Sequence, residues 1–142
     1  MYCAPAWNPY RKCDVKLVEK VQRRFTKCIF GLEKLSYGDR LRRLGALSLC
    51  DMRSCTDLSI AFTSFRDGFA QDFGLEKLSS YTRGNGINLL QRRAKTCAAA
   101  SLFKCRLPKL WNSLPKNITS CTSLPNFKRA LHSYYLQLRQ SD

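Results

Sequence analysis

The chain has 142 residues, enough for one modest domain that buries about two-thirds of the surface its unfolded form exposes. A hydrophobic content of 44%, with 8 Phe, 6 Tyr and 2 Trp, excludes the low-hydrophobicity composition of an intrinsically disordered chain. The 25 Lys and Arg against 10 Asp and Glu give a formal charge of +15, whose self-repulsion calls for a polyanionic partner. Nucleic acid is the leading candidate, and an anionic membrane surface and acidic proteins are weaker ones.

The eight cysteines contain no Cys-x-x-Cys pair, and several fall within apolar helical patterns. We interpret them as reduced thiols rather than as the disulfide framework of a secreted protein. No signal-peptide pattern opens the sequence, and no apolar run approaches the roughly 18 residues that a membrane span needs. We therefore expect an intracellular protein of the nucleus or cytoplasm that binds no membrane.

The first predicted elements are an extended segment and a helix. Residues 1–13 contain two prolines and two large aromatic residues, which favours an extended docking segment. Apolar residues at three- and four-residue spacing then predict a helix from an N-cap at Asp14 to a stop at Gly31. Glu19 is placed to pair with Arg23 across one turn. The predicted buried side consists of Leu17, Val18, Val21, Phe25, Cys28 and Ile29.

Two serines are each followed three residues later by an aspartate, which is the spacing of a capping box. Ser36 predicts the start of a short helix that Gly45 ends, and Ser48 predicts the start of a longer helix that Gly68 ends. Residues 14–70 are therefore expected to be helical. The residues available to the buried side of the longer helix are Met52, Cys55, Ile60, Phe62, Phe65 and Phe69.

The middle of the chain, residues 71–97, loses helical periodicity and predicts a loop or hairpin. Glycines at both ends of the run 84–86 favour a turn over residues 82–86. The short apolar run from Ile87 predicts a β-hairpin arm or another extended segment.

Residues 98–142 are again predicted to be helical. One helix runs from Ala98 to Trp111, and Pro108 should kink it because proline removes a backbone hydrogen bond. A last helix starts at a Ser123 cap, with a proline tolerated in its first turn. The expected fold class is mainly α: residues 1–142 form a single small basic domain of about five helices, with the hairpin or extended segment near the middle.

No set of residues in the sequence matches an active site. A polymerase or nuclease that uses two metal ions needs closely held carboxylates. The nearest acidic pairs are Asp51 with Asp57 and Asp67 with Asp72, which we interpret as solvated helix positions. The cysteine spacing fits no zinc site, and His132, the single histidine, has no marked nucleophile beside it. We expect no catalytic residue, metal, cofactor or small-molecule substrate.

Basic residues recur along the whole chain, and lysine and arginine neutralise phosphates. The predicted nucleic-acid contacts are Arg23, Arg24, Lys27, Arg42, Arg43, Arg92, Arg93, Lys104, Arg106 and Lys109. Most aromatic residues, in contrast, are expected in the core because they stand beside other apolar residues at helical spacing. The predicted core phenylalanines are Phe25, Phe62, Phe65, Phe103 and Phe127.

Several longer strings occur in a characteristic order and spacing. They are Ala6-Trp7-Asn8-Pro9-Tyr10, Glu19-Lys20-Val21-Gln22-Arg23-Arg24-Phe25-Thr26-Lys27, Leu41-Arg42-Arg43-Leu44-Gly45 with Leu47-Ser48-Leu49, Thr82-Arg83-Gly84, Leu110-Trp111-Asn112-Ser113-Leu114-Pro115 and Phe127-Lys128-Arg129. As an ordered set they closely resemble the region after the polymerase domain in metazoan LINE-type (non-long-terminal-repeat) retrotransposon reverse transcriptases. The resemblance covers nearly all of the chain.

The resemblance implies a helical, thumb-like, non-catalytic C-terminal portion of an RNA-directed DNA polymerase. In the parent enzyme it would bind template and primer phosphates, and its partners would be RNA or DNA and the upstream polymerase domain. Met1 would then fall inside the element. The alternative is a stand-alone domesticated protein, a helical interaction partner or chromatin-associated factor without polymerase activity.

Overall fold

A computed structural model of the chain describes residues 6, 8–78 and 88–139. Within these residues the fold is mainly helical, as the sequence predicts. Residues 1–5 and 7 of the predicted docking segment 1–13 and all of the predicted turn 82–86 lie outside the described residues. The helices are α1 (Lys12–Lys27), α2 (Tyr37–Leu44), α3 (Leu49–Asp67), α4 (Cys97–Ser101), α5 (Phe103–Asn112), α6 (Lys116–Thr119) and α7 (Leu124–Leu138).

The predicted capping residues of α2, α3 and α7 are confirmed. The Oγ atoms of Ser36, Ser48 and Ser123 each accept a hydrogen bond from the backbone N–H three residues later. Gly45 and Gly68 end α2 and α3 in the left-handed conformation, at φ of 58° and 90°, which a residue with a Cβ adopts only at a cost. These local signals fix where the three helices begin and where two of them end.

The first helix differs from its prediction at both ends. It begins at Lys12, so Asp14 lies in the first turn rather than at the cap, where its charge still favours the helix N-terminus. It ends at Lys27, four residues before Gly31. The predicted bounds of this helix were therefore wrong by two to four residues.

The side of α1 that faces α2 and α3 is polar, contrary to the prediction. Thr26 is 3% exposed, and its hydroxyl donates to the Gln22 carbonyl over 2.9 Å. The Gln22 amide nitrogen donates to the Leu47 carbonyl, 25 residues away in sequence, over 3.0 Å. Four of the six residues predicted to be buried are exposed instead, whereas Val18 and Ile29 are half-buried. The prediction of a core position for Phe25 was wrong. Leu17, Val21 and Phe25 are 62%, 69% and 69% exposed.

Glu19 pairs with a tyrosine of α2 rather than with Arg23. The Tyr37 hydroxyl donates to Glu19 Oε1 over 2.5 Å, and the Arg23 guanidinium lies 4.7 Å from the centre of the Tyr37 ring. Burial, reinforced by the hydrogen bond to Glu19, raises the pKa of Tyr37 above its ordinary value. The hydroxyl therefore keeps its proton and joins α1 to α2.

The core lies where α3, α5 and α7 meet. Phe62 of α3 stacks on Phe127 of α7 with ring centroids 4.4 Å apart, and Trp111 of α5 lies 6.0 Å from Phe127. Burying each such side chain stabilises the fold by about 1.5–3 kcal/mol. The predicted core positions of Phe62 and Phe127 are confirmed, and Phe65 and Phe103 are partly buried against the core. Met52 and Phe69 are 40% and 47% exposed, contrary to the prediction.

A buried ion pair joins α3 to α5 beside this core. Arg106 Nε and Nη2 donate to the two oxygens of Asp57 over 2.7 and 3.1 Å, and Nη1 donates to the Ser101 carbonyl over 2.5 Å. The side chains of Arg106 and Asp57 are 13% and 2% exposed. The pair links residues 49 positions apart in sequence.

The predicted hairpin arm is present in the described residues as a single antiparallel bridge between Lys77 and Leu89. Leu89 is 1% exposed, and its backbone pairs with the side chain of Asn112 on its other side. The Asn112 amide donates to the Leu89 carbonyl and its oxygen accepts from the Leu89 N–H, both over 2.9 Å. The Asn112 side chain thus makes the two backbone hydrogen bonds that a neighbouring strand would make, and it fixes residues 88–90 against α5.

The helix predicted over 98–111 is two helices, α4 and α5. The break falls at Leu102, whose ψ of 143° is extended, and not at Pro108, which lies inside α5. Pro108 is fully buried, and burial of its ring offsets the missing hydrogen bond. The break and the unpredicted short helix α6 explain why the described residues contain seven helices instead of about five.

Replacing Asp57 by alanine is expected to cost about 3–5 kcal/mol of unfolding free energy, because it leaves the Arg106 guanidinium buried without a counter-charge. The midpoint of urea unfolding measures this loss when the slope of the unfolding free energy against urea concentration is the same in both proteins. Asp67→Ala is the matched control, since Asp67 pairs with Arg66 on the surface, and it should shift the midpoint little. Equal shifts in the two variants would contradict a structural role for the buried pair.

Candidate nucleic-acid interface

A groove of about 320 Å³ lies between residues 91–94 and the helices α4 and α5. Arg92, Arg93 and Lys109, three of the predicted nucleic-acid contacts, line it together, although 16 residues separate Arg93 from Lys109. The other lining residues are Gln91, Ala94, Ala100 and Cys105, so no carboxylate is among them. We call this feature the basic groove.

The core sets the position of the basic groove. Arg92 and Arg93 follow Leu89, which Asn112 anchors through two hydrogen bonds. Lys109 lies three residues before Asn112 on the same helix. The helix α5 therefore carries both Asn112, which anchors residues 88–90, and Lys109. This fixes the two sides of the groove relative to each other.

The cations of the basic groove are accessible. Arg92 contacts Glu76 in a pair whose side chains are 55% and 49% exposed. Exposed pairs of this kind contribute little free energy, so a phosphate can compete for Arg92. Arg93 and Lys109 are exposed and form no ion pair with any residue that the structure describes.

Arg106 does not belong to this surface. Its guanidinium is held by Asp57 and by the Ser101 carbonyl inside the fold, which contradicts its prediction as a phosphate contact. The interpretation of Asp57 as a solvated helix position was wrong, because Asp57 is buried on the side of α3 that also carries Ala61 and Ser64. A carboxylate on a buried side needs a cationic partner.

The remaining predicted contacts lie outside the basic groove. Lys104 is exposed on α5. Arg42 and Arg43 are exposed on α2, where Arg42 pairs with Asp39 over 2.7 Å. The other three, Arg23, Arg24 and Lys27, are exposed on α1. Of the ten predicted contacts, the structure thus brings three into one groove.

A second groove, of about 640 Å³, lies between α3 and α7 and brings together Cys55 and His132, which are far apart in sequence. Burial, with a smaller effect of the Asp51 charge, raises the pKa of the Cys55 thiol to about 12. Because only the thiolate is nucleophilic, we expect the Cys55 thiol to react slowly at neutral pH.

The hydroxyl groups of the second groove are also engaged. Each donates to the carbonyl of the residue four positions earlier on α3, so none is positioned as a nucleophile. They belong to Thr56, Ser59, Thr63 and Ser64. Among the residues that the structure describes, the thiol and hydroxyl groups of the second groove are therefore not arranged as activated nucleophiles.

The described residues contain no group of three or more His, Cys, Asp and Glu side chains that could hold a metal ion. The cysteines among them are free thiols. No helix in the described part of the chain is long and apolar enough to span a membrane.

Comparison with known proteins gave no match: no family model matches the chain, and no curated protein or solved structure is significantly similar to it. The functional argument therefore depends on the chemistry of the grooves and surfaces.

Alkylation of Cys55 by iodoacetamide is expected to be slow at neutral pH and to keep rising with pH through about pH 9, because the thiolate fraction stays small. Peptide mapping by mass spectrometry gives the rate at each pH, and the exposed Cys97 in the same sample checks that the reagent is active. A rate for Cys55 that is already at its plateau near neutral pH would show an activated thiolate and contradict this assignment.

Proposed function

We propose that this chain is a non-catalytic, nucleic-acid-binding segment that corresponds to the C-terminal region of a LINE-type retrotransposon RNA-directed DNA polymerase. In the parent enzyme it holds template or primer through phosphate contacts. The observation that carries the proposal is the basic groove, where Arg92, Arg93 and Lys109 converge without a carboxylate among the lining residues.

The composition of the basic groove determines the kind of binding. Arginine presents a planar fork that donates two hydrogen bonds to a phosphate, and lysine adds a point charge. Among the residues that the structure describes, no aromatic side chain lines the groove, so these residues offer no platform on which a base can stack. The groove therefore favours contacts to the sugar-phosphate backbone, which fix position but do not read sequence.

The strings that resemble the retrotransposon family support the proposal on a physical ground. In Trp-Asn-Ser-Leu-Pro, Trp111 and Leu114 are each 2% exposed, Asn112 anchors Leu89, and Pro115 precedes α6 as its N-cap. Asn112 thus anchors the segment that leads to the basic groove, while Trp111 and Leu114 belong to the core and Pro115 caps α6.

The triple variant Arg92→Gln, Arg93→Gln, Lys109→Gln is expected to bind a DNA duplex more weakly and with less dependence on salt. The plot of log K against log[salt] has a negative slope, and each lost phosphate contact reduces the magnitude of that slope by about 0.9. The magnitude should therefore fall by roughly 2–3 in the triple variant. Fluorescence anisotropy over a salt series measures both affinity and slope. Two duplexes of unrelated sequence should bind the wild-type chain equally.

The matched control is Lys12→Gln, Lys34→Gln, Lys116→Gln, which removes the same charge from exposed positions outside the groove. Its slope should stay near that of the wild type. If the control lowers the slope as much as the groove variant does, binding depends on overall charge and the proposed site is wrong. Affinity that does not change with salt would contradict phosphate binding altogether.

A second candidate, from a different class, is a stand-alone helical interaction or chromatin-associated protein. The described residues favour it in one respect, because they close a hydrophobic core among themselves: Leu58, Leu107, Phe127 and Leu131 are each 0% exposed. A core of this kind lets a domain fold without its neighbours.

A further inference from the structure

The outward side of α1 carries an apolar ridge, which we define as Leu17, Val21 and Phe25. These residues are 62%, 69% and 69% exposed. Their four-residue spacing puts them on successive turns of one helix face. Scattered apolar residues are common on protein surfaces, whereas a row of three on one helix indicates an interaction surface.

The apolar ridge cannot turn inward by rotation of α1, since polar contacts fix the other side of the helix. Thr26 is buried, the Gln22 amide donates to the Leu47 carbonyl, and Tyr37 donates to Glu19. Rotation would break these bonds and leave buried polar groups unpaired, at a cost of about 1–3 kcal/mol each. The outward position of the ridge is therefore a fixed property of the fold.

A basic row, which we define as Lys16, Lys20 and Arg24, runs beside the apolar ridge. Each of these residues immediately precedes a ridge residue, so it lies about 100° round the helix from it. All three side chains are exposed, and none forms an ion pair with the residues that the structure describes. The face of α1 thus consists of two parallel stripes, one apolar and one cationic.

We propose that this face binds an amphipathic helix of a protein partner whose apolar side is bordered by Glu or Asp along one edge. Residues at four-residue spacing form the ridges that pack into the grooves of a second helix. Carboxylates along one edge of that helix would lie opposite the basic row and neutralise it. The apolar ridge gives affinity, and the charge row sets the orientation of the partner.

Charge favours a partner helix with acidic residues over a second copy of the chain. Two copies packed through α1 would place two basic rows close together, and each chain already carries a formal charge of +15. A protein partner with negative charge removes that repulsion.

The arrangement of the stripes argues against a membrane surface. A helix that lies in a membrane interface has a broad apolar side buried among the lipids. In α1, three residues form the ridge, and the helix edge opposite to the basic row turns towards the body of the protein. The apolar ridge is narrow enough for a single partner helix to cover it, and the basic row lies where the acidic edge of that helix would be.

Phosphate binding alone does not explain this face either. Arg24, a predicted nucleic-acid contact, belongs to the basic row, but a phosphate backbone would leave the apolar ridge in water. The inference is therefore independent of the basic groove, and either surface can function without the other.

The test uses the full chain and a fluorescently labelled, amidated helical peptide of roughly 18 residues, with leucine at four-residue spacing and glutamate along one adjoining edge. We expect the wild-type chain to bind it, and Leu17→Gln with Phe25→Gln to weaken binding at least tenfold. Leu44→Gln with Leu138→Gln, which also removes two exposed leucine side chains, should bind as the wild type does. Lys20→Glu with Arg24→Glu should weaken binding, and a peptide with lysine in place of glutamate should not bind.

Unchanged peptide affinity in the Leu17 and Phe25 variant would overturn the proposal, because binding would then be non-specific attraction of opposite charges. Binding of phosphatidylserine vesicles that depends on the ridge, without peptide binding, would show a membrane surface instead. If sedimentation shows that the wild-type chain is a dimer and that the same variant is a monomer, the partner of this face is a second copy of the chain, and the proposal is wrong. Duplex affinity should remain at the wild-type level in this variant, and its loss would contradict the separation of the two surfaces.

Discussion

The excess of cations over carboxylates is the constraint on which the rest of the structure depends. Only 10 acidic residues stand against 25 basic ones, and the fold uses several of the acids internally. Asp57 neutralises Arg106 beside the core, Asp51 is bonded by Arg139, and Glu19 accepts from Tyr37. Carboxylates used in this way fix helices to one another but cannot neutralise the surface. The surface therefore retains an excess of cations, which favours a partner of negative charge.

The two surfaces that remain differ in chemistry, which indicates two kinds of partner. The basic groove combines arginine and lysine with small residues and has no exposed apolar ridge, so it suits a phosphate backbone. The face of α1 combines its cations with three apolar side chains, so it suits a protein helix. Both surfaces are exposed in the structure, as the two proposed kinds of binding require.

The sequence correctly predicted those helix ends that depend on interactions within one helical turn. The capping boxes at Ser36 and Ser48 act within one turn, and Gly45 and Gly68 end their helices through their own backbone conformation, so the bounds of α2 and α3 were predictable. The Ser123 cap of α7 was predictable for the same reason. Helical spacing placed Phe62 and Phe127 in the core correctly but Phe25 wrongly, so spacing alone does not decide which aromatic residues are buried.

What the sequence did not predict depends on residues far apart in the chain. The apolar pattern of α1 predicted a buried face, but the hydrogen bond from Gln22 to the Leu47 carbonyl decides which side of the helix is buried. Arg106 and Lys109 are three residues apart on α5, and only the position of Asp57 explains why the first points inward. The basic groove could be predicted as a list of cations but not as a site, because its assembly depends on the anchor between Asn112 and Leu89.

The full-length transcript that encodes this chain tests the central claim most directly, because the proposed function is that of one part of a larger enzyme. The account predicts an open reading frame that runs into the codon for Tyr2 from upstream and encodes a polymerase domain with its paired aspartates. The transcript would contradict the account if it begins with its own untranslated leader and has an in-frame stop codon before Met1. The chain would then be a stand-alone protein, and its function would lie in the two surfaces alone.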